Sequence, residues 1–177
     1  MQHDNYLVIS GTNRPGSNTR KVAEHYYNEL SDIVENAGFL TLEDLPADFA
    51  FQDLWIEKSN TVNRMITEQL MPATKYIFVM PEYNGGFPGV LKTFIDCVPP
   101  RLFAGKKAGL VGVATGKAGA LRPMDQFTNV LNYLKVSVLY AKPKLSEIDK
   151  CMTPDGHITD DRTRALLAEH AALMVNF

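Results

Sequence analysis

A chain of 177 residues that is 45% apolar can bury one sizeable core, and its length alone predicts a single domain spanning residues 1–177. Eighteen basic against twenty acidic residues leave a formal net charge of −2, with no basic run to neutralise a row of phosphates, so nucleic acid is not an expected partner. The N-terminal MQHDNYLVIS has no basic region followed by a long apolar stretch, and no segment approaches the roughly 20 apolar residues that span a bilayer, which predicts a cytoplasmic protein without a membrane partner.

Short apolar runs alternate with longer stretches of helical period, the pattern of a parallel sheet covered by helices on both faces. Tyr6-Leu7-Val8-Ile9 is the first expected strand. After a loop rich in Gly, Asn and Ser, the positions Val22, Tyr26, Leu30, Ile33 and Ala37 recur at helical spacing, and Gly38 reads as the stop of that helix. Phe39-Leu40-Thr41-Leu42 would form the second strand. Residues 46–59, with Phe49, Phe51 and Trp55 in a polar setting, fit neither period and read as a loop or short helix. Val62, Met65, Ile66 and Leu70 resume a helix before the breaker Pro72. Residues 75–80 then read as a buried central strand ending at Pro81, and Leu91, Phe94, Ile95 and Val98 mark a helix closed by Pro99-Pro100. Residues 108–114 predict a fourth strand, Met124, Phe127, Leu131 and Leu134 an amphipathic helix, and residues 137–140 a fifth strand. Leu166, His170, Leu173 and Phe177 mark a closing helix. Five strands with right-handed crossovers make a three-layer sandwich whose working loops lie at the carboxyl ends of the strands.

Three loops fall at that edge. The first, residues 11–19 (GTNRPGSNT), supplies the hydroxyls of Thr12, Ser17 and Thr19, the cation of Arg14, and a helix N-terminus whose free amides favour an anion. A terminal phosphate fits; an ordinary turn with Ser17 or Thr19 as N-cap and a solvated Arg14 fits as well. The spacing is neither GxGxxG nor GxxxxGK[ST], so neither a dinucleotide fold nor a triphosphate site is indicated. The second loop, residues 81–89 (PEYNGGFPG), holds Gly and Pro at positions that fix an irregular path beside Tyr83 and bring backbone groups against something flat. The third, residues 114–119 (ATGKAG), follows the fourth strand.

The run PEYNGGFPGVLKTFID resembles the PEYNgsxPgxLKnxID signature of the NADPH-dependent FMN reductase family, and GTNRPGSNT resembles that family's GSxRxxSxN phosphate loop. The resemblance implies a flavodoxin-like fold with a five-stranded parallel sheet in the order 2-1-3-4-5, FMN as cofactor and NAD(P)H as co-substrate. Carried over by position, Arg14, Ser17, Asn18 and Thr19 would lie at the flavin phosphate, with Thr12 where the family usually has Ser. Pro81, Glu82, Tyr83, Asn84 and Gly85 would border the isoalloxazine ring, and Thr115 and Gly116 would complete the contacts. Two departures stand out: Ala118-Gly119 replaces a common Gly-Gly pair, and Cys97 stands where a Trp is usual.

With a flavin the reaction takes place at its N5, so no catalytic side chain is expected. The family reading implies an enzyme that reduces a small acceptor, a flavin, quinone, azo compound or metal oxyanion, and that assembles as a homodimer or homotetramer through the helices after Gly89 and Gly119. The alternative is an electron-carrier flavodoxin, whose phosphate loop generally reads TxTGNT and which is typically strongly acidic. A phospho-acceptor domain of the same fold would need an acidic pair where this chain has Gly11-Thr12. Cys97 and Cys151 show no CxxC spacing and are expected as reduced thiols; His3, His25, His157 and His170 show no metal-ligand spacing, so no metal is expected. Ser17 has no inferable His and acid beside it, which argues against a hydrolase. Asp96, near the end of a helix whose dipole disfavours an anion, either pairs with a group such as Arg101 or a partner subunit or stays solvated and unpaired.

Overall fold

The computed structural model describes residues 4–177; His3 lies outside them. In chain order the elements are β1 (Tyr6–Ser10), α1 (Asn18–Ser31), β2 (Ala37–Thr41), α2 (Phe49–Trp55), α3 (Asn60–Arg64), β3 (Lys75–Pro81), α4 (Gly89–Cys97), β4 (Lys107–Val113), α5 (Leu121–Tyr133), β5 (Ser137–Val138), β6 (Lys144–Leu145) and α6 (Asp161–Asn176). All strand pairings are parallel, in the order β2-β1-β3-β4-β5, the flavodoxin-like arrangement expected, with β6 added beside β4.

Strand side chains alternate between two cores. Leu7, Ile9, Tyr76, Phe78, Met80 and Leu110 face the layer that holds α3, α4 and α5. Tyr6, Val8, Ile77, Val79, Val111 and Val113 face the layer of α1 and α6. Burial on both faces is why the central strands read as unbroken apolar runs instead of alternating ones.

Several boundaries differ from the sequence expectation, each for a tertiary reason. Helix α1 stops at Ser31, so Ile33 is exposed, and Gly38 is no helix stop: it lies inside β2 opposite Leu7. Register with Tyr6 requires β2 to begin at Ala37. The segment around Phe49 resolves to the short helix α2. The expected helix through Leu70 is α-helical only to Arg64; a π-helical turn follows over Met65–Leu70, closed by the Met71 amide donating to the Ile66 carbonyl at 2.8 Å.

The fifth strand splits. β5 pairs with Lys107 and Ala108, the chain leaves the sheet at the exposed Tyr140, and after Pro143, which has no amide proton to offer, β6 rejoins β4 at Gly112 and Val113. On α6 the buried stripe is Leu167, His170, Ala171 and Met174, one residue off the expected Leu166 and Leu173. Asp96 pairs with Lys92 one turn earlier, at 2.7 Å, and not with Arg101. Both cysteines are free thiols; burial pushes the Cys97 thiol up to about 11.

His170 is a buried titratable group whose protonation the fold resists. Its Nδ1 is 2.8 Å from the Tyr26 hydroxyl, and desolvation, partly offset by the Ala141 backbone, holds the imidazole down at about 4. A folded value below the unfolded one means that the unfolded chain takes the proton first. The stabilisation is complete above about pH 6.5 and is lost as pH falls from there towards 4, by about 3 kcal/mol in all. Urea unfolding at pH 7.5 and 4.5 should show this fall, and His170→Gln should lose roughly 2 to 3 kcal/mol less over the interval.

Candidate functional site

β1 and β3 are neighbours, yet α1 leaves β1 for one face of the sheet and α4 leaves β3 for the other. A crevice must open where neighbouring connections diverge, at the carboxyl ends of those strands. There a cleft of about 590 Å³ is lined by residues 14–19, 81–85 and 113–118 together with Ile148, within the roughly 300–1,000 Å³ of small-molecule sites. The three loops singled out in the sequence therefore converge. Arg14, Ser17, Asn18, Thr19, Pro81, Glu82, Tyr83, Asn84, Gly85, Thr115 and Gly116 all line it. Thr12 does not: it is fully buried beside the cleft, with its hydroxyl 2.9 Å from that of Tyr83.

The first loop leaves several donors open towards the cleft. Ser17 is the N-cap of α1, and its Oγ accepts the Arg20 amide at 3.1 Å. That leaves the Asn18 and Thr19 amides without an intrahelical acceptor and the Ser17 hydroxyl proton free to donate. Capping and anion binding are thus compatible roles of one serine. The Arg14 side chain is exposed at the cleft and, among the described residues, has no carboxylate within ion-pair distance. Arg20 is occupied: Glu24 and Glu43 bracket it and push its pKa up. Glu43 also accepts the Gly16 amide at 3.0 Å, so this carboxylate braces the loop from outside while Arg20 offsets its charge. Nothing in the sequence spacing marks Glu43, which lies in the 3-10 turn Leu42–Asp44 after β2.

The second loop contains a hairpin turn that the sequence reading missed. Tyr83 and Gly86 exchange backbone hydrogen bonds at 2.9 and 3.1 Å, and the two residues between them, Asn84 and Gly85, have φ of 51° and 82°. Two successive left-handed residues define the type I′ turn that Asn-Gly favours, so the dipeptide itself was the overlooked signal. α5 holds the turn from the surface: Arg122 pairs with Glu82 at 3.1 Å, and Gln126 Nε2 donates to the Gly85 carbonyl at 3.3 Å. The Glu82 Oε2 atom is buried and, among the described residues, has no hydrogen-bond partner.

The third loop is braced by the chain that returns as β6. The Ala114 amide donates to the Leu145 carbonyl at 2.9 Å and the Ile148 amide to the Ala114 carbonyl at 3.1 Å, which carries Ile148 into the cleft wall. Of the Ala118-Gly119 pair, only Gly119 packs tightly within the fold. Gly119, at φ 60°, has Lys144 Cβ 2.8 Å from where its own Cβ would stand, whereas Ala118 is exposed. The methyl of Ala118 takes no part in that contact.

Residues 5–146 match the NADPH-dependent FMN reductase family. The chain belongs to that family. An NAD(P)H-dependent FMN reductase of Pseudomonas aeruginosa is 33% identical over 107 residues, covering 58% of this chain and 57% of that protein. An FMN-dependent NADH:quinone oxidoreductase of Listeria innocua is 34% identical over 107 residues, covering 52% of this chain and 50% of that protein. The chain thus matches only about half the length of these relatives. The structure of FerB, a flavoenzyme NAD(P)H:(acceptor) oxidoreductase from Paracoccus denitrificans, superposes with a TM-score of 0.79 at 23% identity, covering 98% of this chain and 96% of that one, and shows the shared fold.

The family is one of oxidoreductases and its cofactor is FMN. The residues present fit that group. Free helix amides, a hydroxyl proton and an unpaired guanidinium meet at one end of the cleft, where a phosphate needs donors. At the second loop Glu82 and the Asn84-Gly85 turn line the same cleft, where a flat polar ring needs donors and acceptors. Among the described residues no group of His, Cys, Asp and Glu is arranged to hold a metal ion.

Because Gly119 packs on Lys144, Gly119→Ala should displace β6 or the third loop and cost on the order of 1–3 kcal/mol in denaturant unfolding. Gly116→Ala, where open space surrounds the added methyl, should change stability by less than about 0.5 kcal/mol.

Proposed function

We propose that this chain is one flavodoxin-like domain that binds FMN in the cleft and passes a hydride from NADH or NADPH to a small acceptor, a flavin, quinone, azo compound or metal oxyanion. The observation that carries this reading is the meeting of an open helix N-terminus with the hairpin and the third loop at the divergence of α1 and α4. The relatives named above, an FMN reductase and a quinone reductase, support the same class of acceptor.

The chain's own residues bind and orient. Arg14, the Ser17 hydroxyl and the Asn18 and Thr19 amides hold the phosphate. Pro81, Glu82, Tyr83, Asn84 and Gly85 fix one edge of the ring, and Thr115 and Gly116 face it from the third loop. Bound FMN supplies the hydride and electron transfer, so the protein has to leave one face open to a nicotinamide and to hold the ring still. No side chain is required to act as acid or base. The location proposed is cytoplasmic; among the described residues no helix is long and apolar enough to cross a membrane.

A homodimer or homotetramer is proposed as the working form. The buried faces of α4 and α5 lie on the sheet, so the surface left for association includes Tyr133 at the end of α5, Tyr140, and the α2 side chains Phe51 and Trp55, each at least 79% exposed. Sedimentation at micromolar concentration should give a multiple of the 19.7 kDa chain; a monomer would dismiss the assembly.

Arg14→Ala should weaken FMN by about tenfold or more, the worth of a charge-assisted hydrogen bond, and should weaken riboflavin far less, as read by flavin fluorescence titration. Equal FMN affinity in the variant would remove Arg14 from the phosphate site. In anaerobic stopped flow, NADH or NADPH should bleach the FMN-loaded protein directly and a quinone should restore the colour. If neither nucleotide bleaches it within minutes at millimolar concentration, the carrier reading replaces the reductase.

A further inference from the structure

Among the described residues one hydrogen bond joins the phosphate loop, residues 11–19, to the ring loop, residues 81–89: that between the hydroxyls of Thr12 and Tyr83, at 2.9 Å. Its chemistry is constrained. Thr12 is fully buried, and its Oγ1 already accepts the Arg14 amide at 3.3 Å. If Tyr83 also donated to that oxygen, the Thr12 proton would be buried without an acceptor, a cost of about 1–3 kcal/mol. The arrangement that satisfies every group has Thr12 donating to Tyr83 Oη, which frees the tyrosine's own proton to point outward. Tyr83 is 36% exposed, so a residue with a proton to spare stands in the wall of the cleft.

The bond is also the inner support of the hairpin. On the outer side the turn rests on the contacts from Arg122 and Gln126, both at exposed positions and at 3.1 and 3.3 Å. The start of the phosphate loop is fixed: the Gly11 amide donates to the Val79 carbonyl at 2.8 Å, and a Cβ at Gly11 would stand 3.0 Å from that oxygen. Between Gly11 and the Ser17 cap, the chain orients Thr12 through the Arg14 amide. The Arg14 amide thus links the Thr12 hydroxyl, and through it Tyr83, to the residue whose guanidinium would meet an anion. An amide donating to a hydroxyl oxygen also strengthens that hydroxyl as a donor.

We propose that Thr12 is a positioning residue that couples the two halves of the site, so that an anion on the phosphate loop tightens binding of the ring at Tyr83. This rests on the FMN reading above but adds to it: the two halves cooperate, through one buried hydroxyl that never touches the ligand. Thermodynamic linkage makes the effect reciprocal, which allows the halves to be supplied separately.

The test uses riboflavin as the ring and inorganic phosphate as the anion. Riboflavin affinity of the full chain is measured by fluorescence quenching with and without phosphate, at constant ionic strength kept with sodium chloride. Phosphate should tighten riboflavin roughly three- to tenfold in the wild type, the amount a single hydrogen bond transmits. Thr12→Val keeps the shape without the hydroxyl and should reduce the enhancement to about onefold, as should Tyr83→Phe. Thr12→Ser should keep it. A merely structural role for Thr12 would change riboflavin affinity equally with and without phosphate.

No enhancement in a wild type that binds FMN overturns the coupling and leaves the FMN reading standing. Enhancement that survives in both Thr12→Val and Tyr83→Phe overturns the assignment to this bond. A wild type that binds no FMN at all overturns both.

Discussion

The parallel pairing of β1 with β3 is the constraint from which the rest of the site follows. Tyr6 to Ser10 run in register with Lys75 to Val79, and the Gly11 amide extends the pairing by one further bond to Val79. The crossovers from these two strands must go to opposite faces to cover the sheet, so nothing packs over the point where they part. The cleft is a consequence of covering both faces of one sheet with right-handed connections.

The opposite edge of the sheet shows the same geometry with reversed charge. Helices that begin above the carboxyl ends of the strands must end near the amino ends, where their last carbonyls gather. Three lysines at the starts of β3 and β4 meet them. Lys75, almost wholly buried, donates to the carbonyls of Met174 and Val175 and pairs with Asp4 at 2.9 Å. Lys106 reaches the carbonyls of Leu70, Met71 and Ala73 at the end of the π-helical turn, and Lys107 reaches that of Phe177. Burial pulls the Lys106 ammonium below its ordinary value. Cations close the pole where helices end, and open amides remain at the pole where α1 begins.

The three loops at that second pole depend on neighbours distant in sequence. Glu43, just after β2, braces the first loop, α5 and Thr12 hold the hairpin from two sides, and the segment after Pro143 returns to support the third loop and place Ile148 in the wall. Each support is a single side chain or backbone bond in an otherwise short loop.

The sequence by itself determined the layers and where the site lies. Short apolar runs at 6–9 and 76–80, too short for a helix layer of their own and bounded by loops, read as strands buried on both faces, and GTNRPGSNT and PEYNGGFPG follow such runs directly, which puts them at one edge. Composition and local chemistry suffice for that, because burial and turn preference are local properties. Tertiary structure decided what pairing partners impose from afar: that Gly38 belongs to β2 because Leu7 lies opposite it, that the fifth strand breaks before Pro143, and that the buried stripe of α6 is one residue off the expected one. It also decided the part of Thr12. A hydroxyl in a Gly-rich loop reads as a ligand contact, but whether it faces the ligand or the hydroxyl of Tyr83, 71 residues away, depends on how two loops meet across a sheet, which no local pattern encodes.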